Sequence, residues 1–185
     1  MVIAVKKEDR VVVGVTAADG LANMTKRDLA LEENLPFWKV KGVKDCYAFS
    51  EDMNYATDLL RYNDGIFKNF TDMESLIRDV VPKMRELLKG YGMITETAGW
   101  CSTLILVKEG KAYEITPHFT VCEVEDFSTR PFEGYAMGAL EESKDMPVEE
   151  SILFALRKVN EIRCRNLFPL MIFDCKSKKK KVFYQ

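Results

Sequence analysis

His118 is the one histidine in the chain, and it limits the nucleophilic chemistry that the chain can perform. A cysteine or serine nucleophile that relies on an imidazole base must use it. Cys122 follows four residues later in a stretch of β-like composition, where even spacing places two side chains on one face of a strand. The pattern allows a hydrolase that pairs His118 with Cys122 or Cys101. A structural or surface histidine is the simpler interpretation.

The cysteines predict neither a disulfide framework nor a zinc site. They are odd in number, widely spaced and without a C-x-x-C pair, at positions Cys46, Cys101, Cys122, Cys164 and Cys175. Such cysteines are typical of small buried side chains in a reducing compartment. A single histidine without carboxylates at helical spacing also lacks the ligand pattern of a metal site. We therefore expect no metal and no cofactor.

The composition predicts one packed domain that spans residues 1–185. Of the 185 residues, 47% are hydrophobic and 30% are charged, which is ordinary for a globular protein. The formal net charge is -2, and the one concentrated basic run, residues 176–181, is interpreted as a solvated turn, so nucleic acid is not an expected partner. Charges interrupt the apolar residues at the N-terminus, which excludes a signal peptide or membrane span there. We expect a cytoplasmic protein.

The first half of the chain predicts strands followed by helices. β-Branched runs at 2–5 and 11–16 indicate a hairpin, and a second short strand pair is expected at 37–41 and 46–49, after a loop at 17–34. Ser50 is a candidate N-cap for a helix that ends near Arg61. Thr71 or Asp72 can begin the next helix, which carries apolar residues at helical spacing as far as Leu88 and which Pro82 should bend.

The second half repeats this order. A hairpin is expected from 99–107 and 111–116, with its turn at Glu109 and Gly110. Helices follow at about 134–143 and 147–164, then a buried strand at 169–175 and a return strand at 181–184. Two helix pairs and several hairpins in a chain of this length predict an α+β fold, a four-layer αββα sandwich of two antiparallel sheets.

Several segments resemble proteasome β-type subunits and the related bacterial ATP-dependent peptidase, which belong to the Ntn-hydrolase superfamily. They are VIAVKKEDRVVVGVT, FWKV, CYAFSEDMNYATDLL, YAMGALEESKDMPVEESILFALRKVNEIR and PLMIFD. Together they cover most of the chain in the family's order. The resemblance implies the αββα sandwich and stacked rings of six or seven subunits that enclose threonine peptidase sites.

The family mechanism uses an N-terminal threonine as nucleophile and its own α-amino group as base, assisted by a lysine and an aspartate. In this alignment the nucleophile falls just before Met1, and removal of Met1 would expose Val2, which cannot attack a carbonyl. Thr16 takes the place of the aspartate, with Asp19 as a displaced substitute. The lysine aligns with Pro36 or, after a shift of register, with Lys39.

An R-D-x-x-S-like element of the family reads here as residues 163–167, RCRNL, and also lacks the expected side chains. The family-equivalent site positions are therefore Met1, Thr16 and Lys39, none of which carries the family's nucleophile or its carboxylate.

These departures lead to three hypotheses. The first is a proteasome-like Ntn-fold subunit without threonine peptidase activity that assembles with itself, or in a ring with a paralogous subunit, through residues 51–90. The alternative is an active Ntn amidohydrolase or threonine-type peptidase whose nucleophile lies outside the given start of the chain. The third is the cysteine hydrolase that uses His118.

Overall fold

The computed structural model describes residues 1–16, 37–50, 54–95, 99–100, 102–128, 133–163 and 170–183. Within these residues the chain forms two five-stranded sheets, and every strand pair is antiparallel. Helices cover the outer side of each sheet. The α+β sandwich expected from the order of elements is confirmed.

The first sheet has the strand order β10-β9-β2-β1-β8. Its strands are β1 (Val2–Lys7), β2 (Arg10–Thr16), β8 (Asp126–Ser128), β9 (Leu170–Asp174) and β10 (Lys179–Phe183). The β1–β2 hairpin was expected from its β-branched residues, which favour a pleated and buried backbone. Its register pairs Val2 with Val15 and Lys7 with Arg10.

The second sheet has the strand order β3-β4-β5-β6-β7. Its strands are β3 (Phe37–Lys39), β4 (Cys46–Ser50), β5 (Leu104–Lys108), β6 (Lys111–Ile115) and β7 (Val121–Val124). Glu109 and Gly110 join β5 to β6 with φ angles of 50° and 75°. Two successive residues at positive φ are what a tight two-residue hairpin requires, and the sequence pattern predicted this turn.

Four helices lie outside the sheets in the part of the chain that the structure describes. Helix α1 is Tyr55–Tyr62, and a short 3-10 helix, Asp64–Phe67, follows it. Helix α2 consists of an α-helical turn Met73–Ser75, a π-helical segment Leu76–Val80 and an α-helical segment Val81–Gly90. Helices α1 and α2 cover the second sheet, and helices α3 (Glu133–Glu142) and α4 (Val148–Arg163) cover the first.

Three separate apolar cores hold the four layers together. One lies between the first sheet and helices α3 and α4, and includes Ile3, Val12 and Leu156. The second lies between the sheets and includes Val13 and Phe173. The third lies between the second sheet and helices α1 and α2. Because successive residues of a strand point to opposite faces, β1, β2 and β9 of the first sheet contribute alternately to two of these cores.

The turn expected at residues 176–181 is shorter than predicted, because residues 179–181 lie in β10. Two features of the helices also differ from the sequence prediction. Ser50 ends β4 and does not cap a helix; the N-cap of α1 is Asn54, whose side-chain oxygen accepts a hydrogen bond from the Thr57 amide at 2.9 Å. In α2 the π-helical segment precedes Pro82, whose nitrogen cannot donate to the carbonyl four residues earlier. The resulting change of register leaves Ile77, which was expected inside, half exposed.

Within the described residues, no helix combines the length and apolar character needed to cross a bilayer.

Candidate functional site

The first candidate site lies at the open end of the β1–β2 hairpin, opposite the turn. The Thr16 amide donates a hydrogen bond to the Met1 carbonyl at 3.0 Å, which continues the ladder of the hairpin beyond Val2 and Val15. The α-amino group of Met1 donates to the Thr16 hydroxyl at 2.9 Å, and that hydroxyl lies 3.3 Å from the Met1 carbonyl oxygen. Two of the three family-equivalent positions are therefore in direct contact.

Both residues are buried in the layer beneath helices α3 and α4. Thr16 is 2% exposed and Met1 is 8% exposed, with the Met1 side chain in the same core as Ile3 and Leu156. A threonine hydroxyl donates one hydrogen bond and accepts others, but it carries no charge at neutral pH. The position that holds a carboxylate in the resemblance therefore offers only a neutral partner to the amino group.

Lys39, the third family-equivalent position, lies on β3 at the edge of the second sheet. It pairs with Tyr47, whose ring contacts Phe173 of the first sheet at a centroid distance of 4.9 Å. Thr16 pairs with Leu170, three residues from Phe173 along β9, a separation of about 10 Å between those two β9 residues at the usual rise of a strand. The structure therefore brings Met1 and Thr16 together in the first sheet and places Lys39 in the second.

The other residues named for this chemistry, Asp19, Pro36 and residues 164–167, lie outside the described residues. The element aligned with 163–167 therefore receives no structural account.

The pairing of His118 with Cys122 does not follow the expected strand. His118 lies in a turn between β6 and β7, and Phe119 has a φ of 64°, so the extended backbone begins only at Val121. Even spacing along a strand therefore does not align the two side chains. Cys122 is exposed on β7, whereas Cys101 lies outside the described residues.

Two other thiols are unsuited to nucleophilic chemistry. Burial raises the pKa of the Cys46 thiol to about 12, with a small opposing influence from Lys108. Burial also raises the pKa of Cys175, to which nearby Asp174 adds. Because the thiolate is the reactive form, both side chains remain protonated and unreactive at neutral pH.

The structure also reveals a cleft that the sequence interpretation missed. It has a volume of about 590 Å³ and lies at the edge where β3 and β10 end their sheets; its wall includes Lys39, Lys41, Arg61, Lys178 and Lys180. These residues come from three separate segments of the chain. The sequence pattern showed only the run at 176–181, and nothing in it indicated that Arg61 and Lys41 lie beside that run.

Comparison with solved structures finds close three-dimensional similarity over nearly the whole chain. The complex of Thiobacillus denitrificans BPH with epoxomicin has a TM-score of 0.68 at 15% identity, covering 94% of this chain and 96% of that one. A second structure of BPH gives a TM-score of 0.65 at 16% identity, with the same coverage. Eukaryotic HslV from Trypanosoma brucei gives 0.61 at 16% identity and covers 94% of this chain and 97% of that one.

The sequence matches no protein-family profile and no curated protein. The likeness is therefore one of three-dimensional architecture and is low in the sequence. It agrees with the resemblance seen in the hairpin, helix and final-strand segments. The chain shares the αββα fold of BPH and HslV.

Proposed function

We propose that this protein is a proteasome-like Ntn-fold subunit without threonine peptidase activity, and that it acts by assembling with copies of itself or with a paralogous subunit. The observation that carries the first half is the contact between Met1 and Thr16. The resemblance aligns Thr16 with the family's carboxylate, and the buried Thr16 hydroxyl contacts the α-amino group and the carbonyl oxygen of Met1.

The charge environment of this contact supports the proposal. In the family mechanism an aspartate and a lysine adjust the basicity of the amino group that activates the nucleophile. Thr16 supplies no negative charge, and Lys39 lies on β3 of the second sheet, whereas Met1 and Thr16 belong to the hairpin of the first sheet. The Met1 side chain is a buried thioether and the next side chain, Val2, is aliphatic; neither is a nucleophile.

The outer face of helices α1 and α2 supports the proposal that the protein assembles with other subunits. Large apolar side chains remain exposed on these helices and just after α2: Tyr55, Met73, Ile77, Tyr91 and Met93. The rings of Tyr55 and Tyr91 meet edge to face at a centroid distance of 6.4 Å, so α1 and the end of α2 contribute to one apolar patch. Exposed apolar patches rich in tyrosine and methionine are typical of protein interfaces. We assign this surface to contact with a second copy of the chain.

Native mass spectrometry and light scattering test the assembly. The proposal predicts a mass that is a multiple of the 21.2 kDa chain at tens of micromolar protein. Ile77→Glu should shift the protein towards the monomer, because it places a charge within the patch. Ile162→Glu is the matched control, since Ile162 is also 50% exposed but lies on α4. A strict monomer, or dissociation by the control variant alone, would contradict the assigned surface.

Mass and activity together separate this proposal from its alternative. An oligomer that cleaves no peptide agrees with a non-catalytic subunit. An N-terminal threonine, serine or cysteine on the protein isolated from its natural source, together with peptide cleavage, would favour an active Ntn amidohydrolase or threonine-type peptidase.

A further inference from the structure

The cleft at the edge of the sandwich has a strongly unbalanced charge. Among the residues that the structure describes, five cationic side chains line it, from Lys39, Lys41, Arg61, Lys178 and Lys180, against one carboxylate, that of Asp64. The chain as a whole carries a net charge of -2, so this concentration does not follow from a basic composition. Clefts lined by charges of one sign raise the local concentration of ions of the opposite sign.

Two described carboxylates, those of Asp64 and Asp45, interact with residues that line the cleft. Asp64 accepts a hydrogen bond from the Lys41 amide at 3.0 Å, so one of its oxygens is engaged with the main chain. Lys178 forms an ion pair with Asp45 at 2.7 Å. In the part of the chain that the structure describes, the amino groups of Lys39, Lys41 and Lys180 form no ion pair with a carboxylate.

An adjoining cavity extends the basic surface. It has a volume of about 720 Å³ and shares Lys39, Lys41 and Lys178 with the first cleft, while Lys44 joins its lining. The three shared lysines stand between the two cavities. An anion in the first cleft therefore contacts positive charge from β3, from the turn before β4 and from the turn before β10.

Trp38 also lines the cleft. It is 6% exposed, and within the described residues its buried indole N–H has no hydrogen-bond acceptor. Nearly all buried donors in native proteins are satisfied, so this N–H can donate to a bound molecule or water.

We propose that this cleft binds a small polyanion that carries two or more phosphate groups. The positive charges are spread around a volume typical of small-molecule sites, so the ligand must carry several negative charges on a compact body. A chain of phosphate groups concentrates charge in this way, and Lys and Arg side chains are its usual partners. This inference does not depend on the proposed absence of peptidase activity.

Calorimetric titration of the whole protein with tripolyphosphate, ADP, AMP and tetraglutamate tests the site. We expect saturable binding of tripolyphosphate and ADP with one site per chain, AMP weaker by about tenfold, and affinities that fall as salt is added. Binding of tripolyphosphate without ADP would identify inorganic polyphosphate as the source of the phosphates. Preference for tetraglutamate would overturn the proposal in favour of an acidic peptide.

Charge variants locate the binding. Lys39→Gln combined with Lys180→Gln should weaken tripolyphosphate binding by about tenfold. Lys7→Gln combined with Lys83→Gln removes the same charge from exposed lysines outside the cleft and should change the affinity by less than about twofold. An unchanged melting temperature without ligand shows that both variants are folded. Equal weakening in the two double variants, or no saturable binding by the unmodified protein, would overturn the proposal.

Discussion

The α-amino group of Met1 donates a hydrogen bond to the hydroxyl of Thr16 over 2.9 Å, inside a layer covered by helices. The contact joins the first residue of the chain to the last residue of β2. The hydroxyl oxygen is the one polar atom of the Thr16 side chain, and Thr16 is 2% exposed. The β1–β2 hairpin is therefore closed at its open end by a polar contact within an apolar core.

Thr16→Val should reduce the free energy of unfolding by about 1–2 kcal/mol, because the substitution keeps the shape of the side chain but removes a buried partner of the amino group. Thr120→Val is the control; Thr120 is exposed in a loop, and its change should stay within about 0.5 kcal/mol. Urea unfolding of the three proteins measures both effects. Equal stability of the Thr16 variant and the unmodified protein would show that the hydrogen bond contributes nothing.

Gly14→Ala should destabilise the protein by about 1–3 kcal/mol, because overpacking forces α4 away from β2. An added Cβ at Gly14 would stand 2.4 Å from Cγ2 of Ile152. Gly138→Ala provides the opposite case, since nothing lies within 4 Å of its added Cβ in α3, and it should stabilise the helix by up to about 1 kcal/mol. Thermal unfolding distinguishes the two, and a stabilising Gly14→Ala would mean that α4 packs differently.

Leu156→Ala should cost about 2–5 kcal/mol of unfolding free energy, because Leu156 is 1% exposed at the centre of the core between α4 and the first sheet. Replacing its isobutyl side chain by a methyl group leaves a cavity in a packed core. Denaturant unfolding gives the value, and a cost below about 1 kcal/mol would mean that this helix face is not buried as described.

A charged cluster joins the turn end of the first sheet to α4. Arg10 pairs with Asp174 at 3.0 Å and with Glu149. Burial alone would raise the pKa of both carboxyl groups. For Asp174 the hydrogen bonds from Ser177 and Lys176 and the charge of Arg10 outweigh it and lower the pKa. For Glu149 the hydrogen bond from its own backbone amide and the contact with Arg10 outweigh the effect of burial and lower the pKa.

Arg10→Gln should therefore lower stability by about 1 kcal/mol at pH 7, and by less as the pH falls. A carboxyl group whose pKa is lowered by folding stabilises the native state above its unfolded pKa, near 4, and loses this contribution as the pH falls through its folded pKa. Arg78→Gln breaks an exposed cluster with Glu74 and Asp79 and should have a smaller effect. A difference between Arg10→Gln and the unmodified protein that grows below pH 4 would contradict this account.

Local patterns predicted most of the fold. The β-branched residues of β1 and β2, the Glu109–Gly110 turn and the apolar stripe of α4 each act within a few residues, so their signals are present in the sequence. The sequence favours Ser50 as the N-cap of α1, whereas the structure has Asn54 there. Both side chains are good caps, and only the length of β4, which ends at Ser50, decides between them.

The candidate sites depend on contacts that local patterns do not contain. Met1 and Thr16 meet because a hairpin register pairs them, and the spacing of the two strands made this predictable. The distance of Lys39 from that pair depends on how two sheets stack. The basic cleft required β3, α1 and the turn before β10 to converge, and no spacing along the chain indicates that convergence.

The most direct test of the central claim treats the unmodified protein with a panel of fluorogenic peptides and with a threonine-directed covalent inhibitor, followed by intact mass measurement. The account predicts turnover near background and no adduct, because the site has no nucleophilic side chain at Met1 or Val2 and no carboxylate at Thr16. Adding a threonine before Val2 with Thr16→Asp should recover little activity, since residues of such a site act as a unit. Stoichiometric modification of the N-terminus, or peptide cleavage that is lost when the N-terminus is blocked, would contradict the account.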